Sequence, residues 1–224
     1  MHLKDLSLVN FKNFESFDLE LCPRINCLIG DNGTGKTNLL DSIHYLSFCK
    51  SFLNSSDRQN IKTGEDFFVI KGDFDLNENI ESIYCGLQRD KRKSFRRNGA
   101  EYPKLSDHIG LLPVVYSTPY DSDLIHQGSE IRRKFADSVI SQFDHSYLNQ
   151  LITYNKILDQ RNTLLKNSWN GRKPTNDEIE IWDYKLTESG NIIYAARKNF
   201  ADEITPIFQK YYNLISDGKE KVEL

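Results

Sequence analysis

The fold of this 224-residue chain is decided by the stretch Ile25-Asn26-Cys27-Leu28-Ile29-Gly30-Asp31-Asn32-Gly33-Thr34-Gly35-Lys36-Thr37. Its first five residues are β-prone and almost wholly apolar, which predicts a strand covered on both faces. Its last eight residues match the pattern G-x-x-x-x-G-K-[ST] of a P-loop. Apolar residues then recur at helical spacing at Leu39, Ile43 and Leu46. A strand, a glycine-rich loop and an amphipathic helix in this order are the context that a P-loop requires.

The residue types of this loop fit phosphate binding. Gly30, Gly33 and Gly35 let the backbone turn sharply, so that its N–H groups and the helix N-terminus cradle phosphates. Lys36 is expected to reach the β- and γ-phosphates of ATP, and the Thr37 hydroxyl to ligate Mg²⁺. The predicted nucleotide site consists of Gly30, Asp31, Asn32, Gly33, Thr34, Gly35, Lys36, Thr37 and Asn38.

The first part of the chain, residues 1–107, combines this loop with strand patterns. Asn98-Gly99 is a strong hairpin-turn signal. A last strand is predicted at Leu111–Tyr116, just past this part. The other predicted strands are Leu3–Val9, Phe17–Leu21, Phe67–Ile70, Phe74–Leu76 and Ile83–Leu87.

The second part, residues 108–224, is predicted to be helical. From Ser129 onward apolar residues recur every three to four positions. A loop is predicted at Trp169–Pro174, and the helical run after it is expected to end near Pro206.

Composition excludes some classes of protein and leaves a local basic surface open. With 29 Lys and Arg against 32 Asp and Glu, the net charge of −3 argues against a uniformly basic nucleic-acid binder. A predicted hairpin nevertheless concentrates cations, and such a ribbon can contact DNA phosphates. The alternative is a solvated charged turn. The residues concerned are Arg89, Lys91, Arg92, Lys93, Arg96 and Arg97.

The sequence argues against a membrane-spanning protein and against a zinc-binding protein. The sequence has no apolar run of membrane-spanning length and no secretory signal, so a cytoplasmic protein is expected. Its four cysteines form no CxxC pair and do not cluster with the histidines. Reduced, mostly buried thiols are therefore predicted, without a structural zinc site.

The motifs together resemble one family. Gly30–Ile43 resembles the Walker A segment of the ABC/SMC-type ATPases of DNA repair, and the chain as a whole is similar to the RecF family. Leu8–Phe14 resembles the N-F-R-N-Y element of that family, Pro119–Asp137 its P-x-D-L…R-R-x-F-x-D segment, and Tyr154–Lys166 its Y-x-x-x-L-x-Q-R-N-x-L-L-K helix.

The resemblance implies a fold and two further site residues. The implied fold class is α/β, a partial ABC/SMC-type P-loop ATPase lobe with an antiparallel β-subdomain, followed by an all-helical lobe. Lys12 and Asn13 match positions that contact the nucleotide in SMC-like ATPases. The alternative for them is a hairpin turn with a solvated lysine.

The resemblance also implies a function. RecF-like proteins are ATP-dependent DNA-binding proteins of recombinational repair and the SOS response, with ATP and Mg²⁺ as cofactors. They form a homodimer around two ATP molecules, bind double-stranded DNA or junctions of single and double strands, and act with RecR and RecO to load RecA at gaps.

Two elements of such ATPases are missing from the sequence. The apolar run Phe67–Ile70 is followed by Lys71 and not by the Asp of a Walker B strand. Leu214–Gly218 is only superficially like the signature motif and is interpreted as a turn. Since the family has both elements in its C-terminal half, we expect an N-terminal fragment that is monomeric, binds ATP weakly and does not hydrolyse it.

Two alternatives remain open on the sequence. One is another P-loop enzyme, such as a small-molecule kinase, in which Arg132 and Arg133 would form an arginine lid. The other is a nucleotide-independent DNA-binding or scaffold module with a vestigial P-loop.

Overall fold

A computed structural model of the chain describes residues 1–76, 78–167 and 174–222. The chain forms two compact units, Met1–Tyr116 and Ser117–Leu224. The division comes after Tyr116, whereas the sequence places it after residue 107. Of the loop predicted at Trp169–Pro174, only Pro174 is among the described residues.

The first unit is built on one antiparallel sheet with the strand order β2-β1-β3-β4-β5-β6. A single strand, β3, spans both predicted runs at Phe67–Ile70 and Phe74–Leu76. The turn at Asn98-Gly99 is confirmed, with φ of 50° and 83° at its two central residues, as a type I′ hairpin turn requires. The elements of this unit are β1 (His2–Phe11), β2 (Phe14–Glu20), α1 (Lys36–Phe48), β3 (Phe67–Leu76), β4 (Asn79–Gln88), β5 (Ser94–Arg97) and β6 (Ala100–Glu101).

Helix α1 covers the apolar face that strand alternation gives to this sheet. The fully buried ring of Tyr45 packs edge-on against Phe11 and Phe68, with centroid distances of 6.3 and 5.6 Å. Gly72 in β3 allows the helix to come close, since a Cβ there would lie 2.6 Å from Cδ1 of Leu46. The helix that carries the P-loop is therefore packed directly on the sheet.

Two predicted strands are not formed. Ile25–Ile29 has no strand structure, and the side chains of Ile25 and Ile29 are 80% and 94% exposed. Leu111–Tyr116 has none either, and Val115 is 93% exposed. A strand needs a neighbour for its backbone hydrogen bonds, and within the described ranges the sheet offers neither segment a partner. The prediction of burial on both faces was wrong here, because apolar character does not itself supply a pairing strand.

The second unit is helical. Its core holds Ile140, Tyr147 and Ile193. The Arg197 guanidinium donates to both carboxylate oxygens of Asp137, at 2.7 and 2.8 Å, and the Tyr147 hydroxyl donates to the same carboxylate. This pairing ties the first long helix of the unit to the last. The helices are α2 (Asp123–His126), α3 (Ser129–Ile140), α4 (His145–Asn167) and α5 (Asn176–Ser216).

Helix α5 continues through Pro206, where the sequence predicts its end. A proline removes one helical N–H donor but leaves the bonds of the neighbouring turns, and these hold the helix together. The helix ends instead in a left-handed cap at Asp217 and Gly218, with φ of 53° and 71°. The Gly218 N–H donates to the Asn213 carbonyl, as in a Schellman-type cap. The turn predicted over Leu214–Gly218 is thus confirmed at its last two residues.

The structure tests the prediction made for the cysteines. All four cysteines are free; Cys49 and Cys85 are buried, whereas Cys22 and Cys27 are exposed, contrary to the prediction of mostly buried thiols. Burial raises the pKa of the Cys49 thiol to about 12.

Across residues 1–76, 78–167 and 174–222, no cluster of His, Cys, Asp and Glu is suited to a metal ion. In the same ranges no helix has both the length and the apolar character to cross a bilayer.

Candidate nucleotide-binding site

The P-loop ends at the N-terminus of α1. Gly33 and Gly35 have φ of 86° and 110°, a backbone conformation that residues with a Cβ rarely adopt. The helix starts with the bond from the Leu39 N–H to the Gly35 carbonyl, at 2.9 Å. No side chain in the described part of the chain caps this terminus. The first-turn N–H groups therefore remain as donors at the positive end of the helix dipole, which is an anion-binding arrangement.

Lys36 lies against the loop that precedes it. Its ammonium donates to the carbonyls of Gly30 and Asp31, at 2.5 and 2.7 Å. The Thr34 hydroxyl donates to the same Asp31 carbonyl at 2.9 Å. The loop therefore curls around the lysine, and a phosphate bound there would have to attract the ammonium away from these two carbonyls.

The other predicted loop residues surround this curl. The side chains of Asp31, Asn32 and Thr37 are exposed, with Thr37 on the first turn of α1. Its role as a Mg²⁺ ligand, one residue after the lysine, stays a prediction.

Asn13 is joined to the P-loop by side-chain hydrogen bonds. Its Nδ2 donates to the Thr34 carbonyl at 3.0 Å, and its Oδ1 accepts from Nδ2 of Asn38 at 2.8 Å. Gly35 lies so close that a Cβ there would be 2.5 Å from the Asn13 amide nitrogen. The structure thus brings Asn13 close to the loop and to Asn38, as the predicted site requires. The hydrogen bonds of the Asn13 side chain go to Thr34 and Asn38 of the protein itself.

Lys12 has a different environment. Its ammonium pairs with Asp41 of α1 at 2.6 Å, and the two side chains are 8% and 0% exposed. Lys12 thus lies in the hairpin turn between β1 and β2, as the alternative predicts, but the prediction that it is solvated is wrong. Asp41 also accepts hydrogen bonds from the Ser51 hydroxyl at 2.6 Å and the Phe52 N–H at 2.7 Å.

Sequence reasoning missed Asp41. Within an amphipathic helix it has the pattern of a solvent-facing acid, because Lys12 and Ser51 are 29 and 10 residues away along the chain. No local spacing signals such a cluster. The packing of α1 on the sheet brings Lys12 to Asp41, and the loop that follows α1 brings Ser51 to the same carboxylate.

The basic hairpin is divided by strand alternation into inner and outer cations. Lys93 is 12% exposed and donates to Asp57, the Tyr45 hydroxyl and the Cys49 carbonyl. Arg97 forms a two-pronged pair with Glu81, at 2.7 and 2.8 Å, and this pair holds the pKa of the Glu81 carboxyl below its usual range.

The remaining cations of the hairpin face solvent. Arg96 points to the opposite face of the sheet, where its guanidinium lies 5.5 Å from the Tyr84 ring centroid. Arg89 is exposed and contacts Asp66 at 3.5 Å. Lys91 and Arg92 are exposed as well. Of the six predicted DNA-contact residues, Lys93 is withdrawn from the surface, and Arg97 is 41% exposed with its charge paired to Glu81.

The arginine pair that a kinase would use as a lid serves the helical unit. Arg132 donates to the carbonyls of Leu124 and Gln127, both at 3.1 Å, and Arg133 donates to the Ser129 hydroxyl at 2.7 Å. Both guanidinium groups thus bind the ends of α2 and α3.

Comparison with known proteins identifies the class. Residues 1–222 match the family model described as AAA ATPase domain. The match covers nearly the whole chain, and the chain belongs to this family.

Comparison with individual relatives gives a more specific result than the family model. The chain is 47% identical to the DNA replication and repair proteins RecF of Bacteroides thetaiotaomicron and Flavobacterium johnsoniae, over 100% of its own length. It covers 60% and 62% of those proteins, so it spans about three fifths of the curated relatives it matches. Two solved structures, of the recombination mediator protein RecF with ATPrS and with ATP in the RecFOR pathway, superpose with TM-scores of 0.89 and 0.88. Each is 32% identical to the chain, and the superpositions cover 96% of the chain and 58% of those structures.

The predicted resemblance to RecF is therefore confirmed, and the fold is that of the RecF-like ATPases.

Proposed function

We propose that this chain binds MgATP through Gly30–Thr37 and takes part in DNA repair as a RecF-like ATPase. The observation that carries the proposal is the P-loop at the start of α1, where positive-φ glycines, free helical N–H donors and a lysine converge. These donors are what an anionic polyphosphate requires. The similarity to a RecF structure that contains ATP supports the same assignment.

Each loop group has a part in this binding. The backbone N–H groups around Gly33 and Gly35 hold phosphate oxygens, and the Lys36 ammonium exchanges two carbonyl partners for phosphate. The Thr37 hydroxyl would hold Mg²⁺, and the ion would neutralise charge on the bound phosphates. The family resemblance offers Lys12 and Asn13 of the adjacent hairpin as further nucleotide contacts; of the two, we keep only Lys12 as a candidate, because the hydrogen bonds of Asn13 go to Thr34 and Asn38.

The test is a calorimetric titration of MgATP into wild-type protein, Lys36→Ala and Lys4→Ala. Lys4 is exposed on β1 and outside the loop, so its variant is the matched control for loss of a lysine. We expect saturable binding that is lost in Lys36→Ala and retained in Lys4→Ala. Equal heats for Lys36→Ala and wild type, or no binding by folded wild-type protein, would overturn the proposal.

We further propose that the outer cations of the basic hairpin contact the DNA backbone. Arg89, Lys91, Arg92 and Arg96 supply exposed charge, and the contacts would be independent of sequence and weakened by salt. Lys93 is left out because it is 12% exposed and pairs with Asp57 at 2.7 Å. Arg97 is left out because it makes two bonds to Glu81, at 2.7 and 2.8 Å, whereas the contact of Arg89 with Asp66 is longer, at 3.5 Å.

The DNA proposal is tested by charge reversal. Arg92→Glu with Arg96→Glu should weaken DNA binding and flatten its dependence on salt. Lys4→Glu with Lys104→Glu changes the net charge equally on exposed residues outside the hairpin and should do neither. An unchanged salt slope in the hairpin variant would exclude the hairpin as the contact. DNA binding that responds neither to ATP nor to Lys36→Ala would favour a nucleotide-independent module.

The wider role follows the family. We propose cytoplasmic action with RecR and RecO in loading RecA onto DNA gaps, and an ATP-dependent homodimer for a RecF protein of full length. For the 224-residue chain alone we propose a monomer without ATP turnover, since its sequence has no Walker B or signature element. A tight ATP-dependent dimer in light scattering, or phosphate release abolished by Lys36→Ala, would contradict this.

A further inference from the structure

The β1–β2 turn is connected to the P-loop through one peptide group. The Asn13 side-chain amide donates to the Thr34 carbonyl at 3.0 Å. In a trans peptide the carbonyl and the following N–H point in opposite directions. Since the Thr34 carbonyl is directed at Asn13, the Gly35 N–H is turned away from the turn.

We infer that Asn13 is a positioning residue of the P-loop, acting through the Thr34–Gly35 peptide, and that it is not a ligand of the nucleotide. Its bond sets the orientation in which the Gly35 N–H can donate to a phosphate oxygen. The inference rests on the proposed ATP binding, and it assigns Asn13 a role different from the nucleotide contact that the family resemblance implies.

The orientation of Asn13 is itself fixed from two sides. Its Oδ1 accepts from Asn38 Nδ2 at 2.8 Å, which leaves Nδ2 as the group that faces Thr34. The next residue back along the chain, Lys12, is held by the buried carboxylate of Asp41. Asn38 and Asp41 both belong to α1, so the turn and the helix that starts at the loop form one braced unit.

The close packing around Gly35 supports the same role. A Cβ on Gly35 would lie 2.5 Å from Asn13 Nδ2 and 2.9 Å from the Phe14 ring. Gly35 has a φ of 110°, and because it has no Cβ, side-chain sterics do not restrict its backbone to this one conformation. A fixed external partner is therefore needed to keep the N–H in one direction.

The first experiment reads the peptide without any nucleotide. The chain has 12 glycines, so selective nitrogen-15 glycine labelling gives a simple amide spectrum. Asn13→Leu keeps the size of the side chain and removes both hydrogen bonds. It should move the Gly35 amide signal and speed its hydrogen exchange, while the glycines of the remaining sheet and the urea unfolding midpoint stay unchanged. Asn38→Ala should give a smaller shift in the same direction, and Ser16→Ala, on exposed β2, none. An unmoved Gly35 signal in Asn13→Leu would overturn the inference.

The second experiment compares ATP with inorganic tripolyphosphate. Loss of one neutral hydrogen bond should weaken both ligands alike, by about threefold to tenfold. A selective loss of ATP with tripolyphosphate unaffected would show that Asn13 contacts the nucleoside, and would overturn the inference. If wild-type protein binds neither ligand while the Gly35 signal still responds to Asn13→Leu, the proposed ATP binding fails and the positioning contact stands.

Discussion

The buried pair of Lys12 and Asp41 offers the sharpest test of how the P-loop helix is held on the sheet. Lys12→Met keeps the length of the side chain and removes its charge. The Asp41 carboxylate, which is 0% exposed, then retains only neutral donors, namely the Ser51 hydroxyl and the N–H groups of Phe52 and Leu53. Removing one partner of a buried ion pair typically costs about 3–5 kcal/mol, because the other charge stays buried without compensation.

This loss is large for a domain whose total stability is about 5–15 kcal/mol. A loss of about 3 kcal/mol raises the unfolded fraction roughly a hundredfold, at about 1.4 kcal/mol per factor of ten. It is measured by urea denaturation, with hydrogen exchange of peptides from β1 and β3 reporting on the first unit. Lys62→Met is the matched control, since it breaks the pair with Glu15, which is 83% exposed. That surface pair should contribute about 0–1 kcal/mol.

A double variant separates the charge from the contact. In Lys12→Met with Asp41→Asn no buried charge remains, and the new amide can still accept from Phe52 and donate to Ser51. We expect this variant to be more stable than Lys12→Met alone, as a double-mutant cycle for a coupled pair requires. If Lys12→Met costs no more than Lys62→Met, the pair does not stabilise the fold and the reasoning is wrong.

Three further predictions concern the first unit. Gly72→Ala should destabilise it by about 1–3 kcal/mol through overpacking against Leu46, measured by the urea midpoint. His108 is fully buried, and burial lowers its pKa below 6.5. As the pH falls, the unfolded chain therefore binds a proton at this histidine before the folded chain does, so the urea midpoint should fall below about pH 6.5. The fall should be smaller in His108→Gln. Glu81 has a lowered pKa through Arg97, so its contribution is present above about pH 4.5 and lost as the pH falls through the native value. Because Arg97 is 41% exposed, Glu81→Gln should cost only about 1 kcal/mol at pH 7, and a stability curve of that variant that falls as steeply as wild type below pH 4.5 would contradict this pairing.

Local patterns were sufficient for much of the fold. The P-loop and its helix are specified by glycine spacing, Lys36 and a helical apolar repeat. The Asn98-Gly99 turn is set by two residues that tolerate positive φ, and strand β2 by alternation of period two. In each case the information lies within a few neighbouring residues, so no knowledge of the rest of the chain is needed.

The other features of the fold depend on contacts between residues that are distant along the chain. Ile25–Ile29 has the composition of a buried strand, yet strand formation depends on a neighbour that the segment itself does not contain. Lys93 and Arg96 look equivalent in a run of cations. Side chains of a strand alternate between the two faces of the sheet. Lys93 is therefore directed to Asp57 and is part of the folded core, whereas Arg96 stays on the surface beside Tyr84.

The candidate site shows the same division. A glycine-rich loop with Lys36 and Thr37, followed by a helix, is predictable from the residues alone, because backbone conformation and residue chemistry are local properties. The bond of Asn13 to the Thr34 carbonyl and the pair of Lys12 with Asp41 become visible only in the folded chain. Those contacts join residues 21 and 29 positions apart, and they exist only because the sheet and α1 pack face to face.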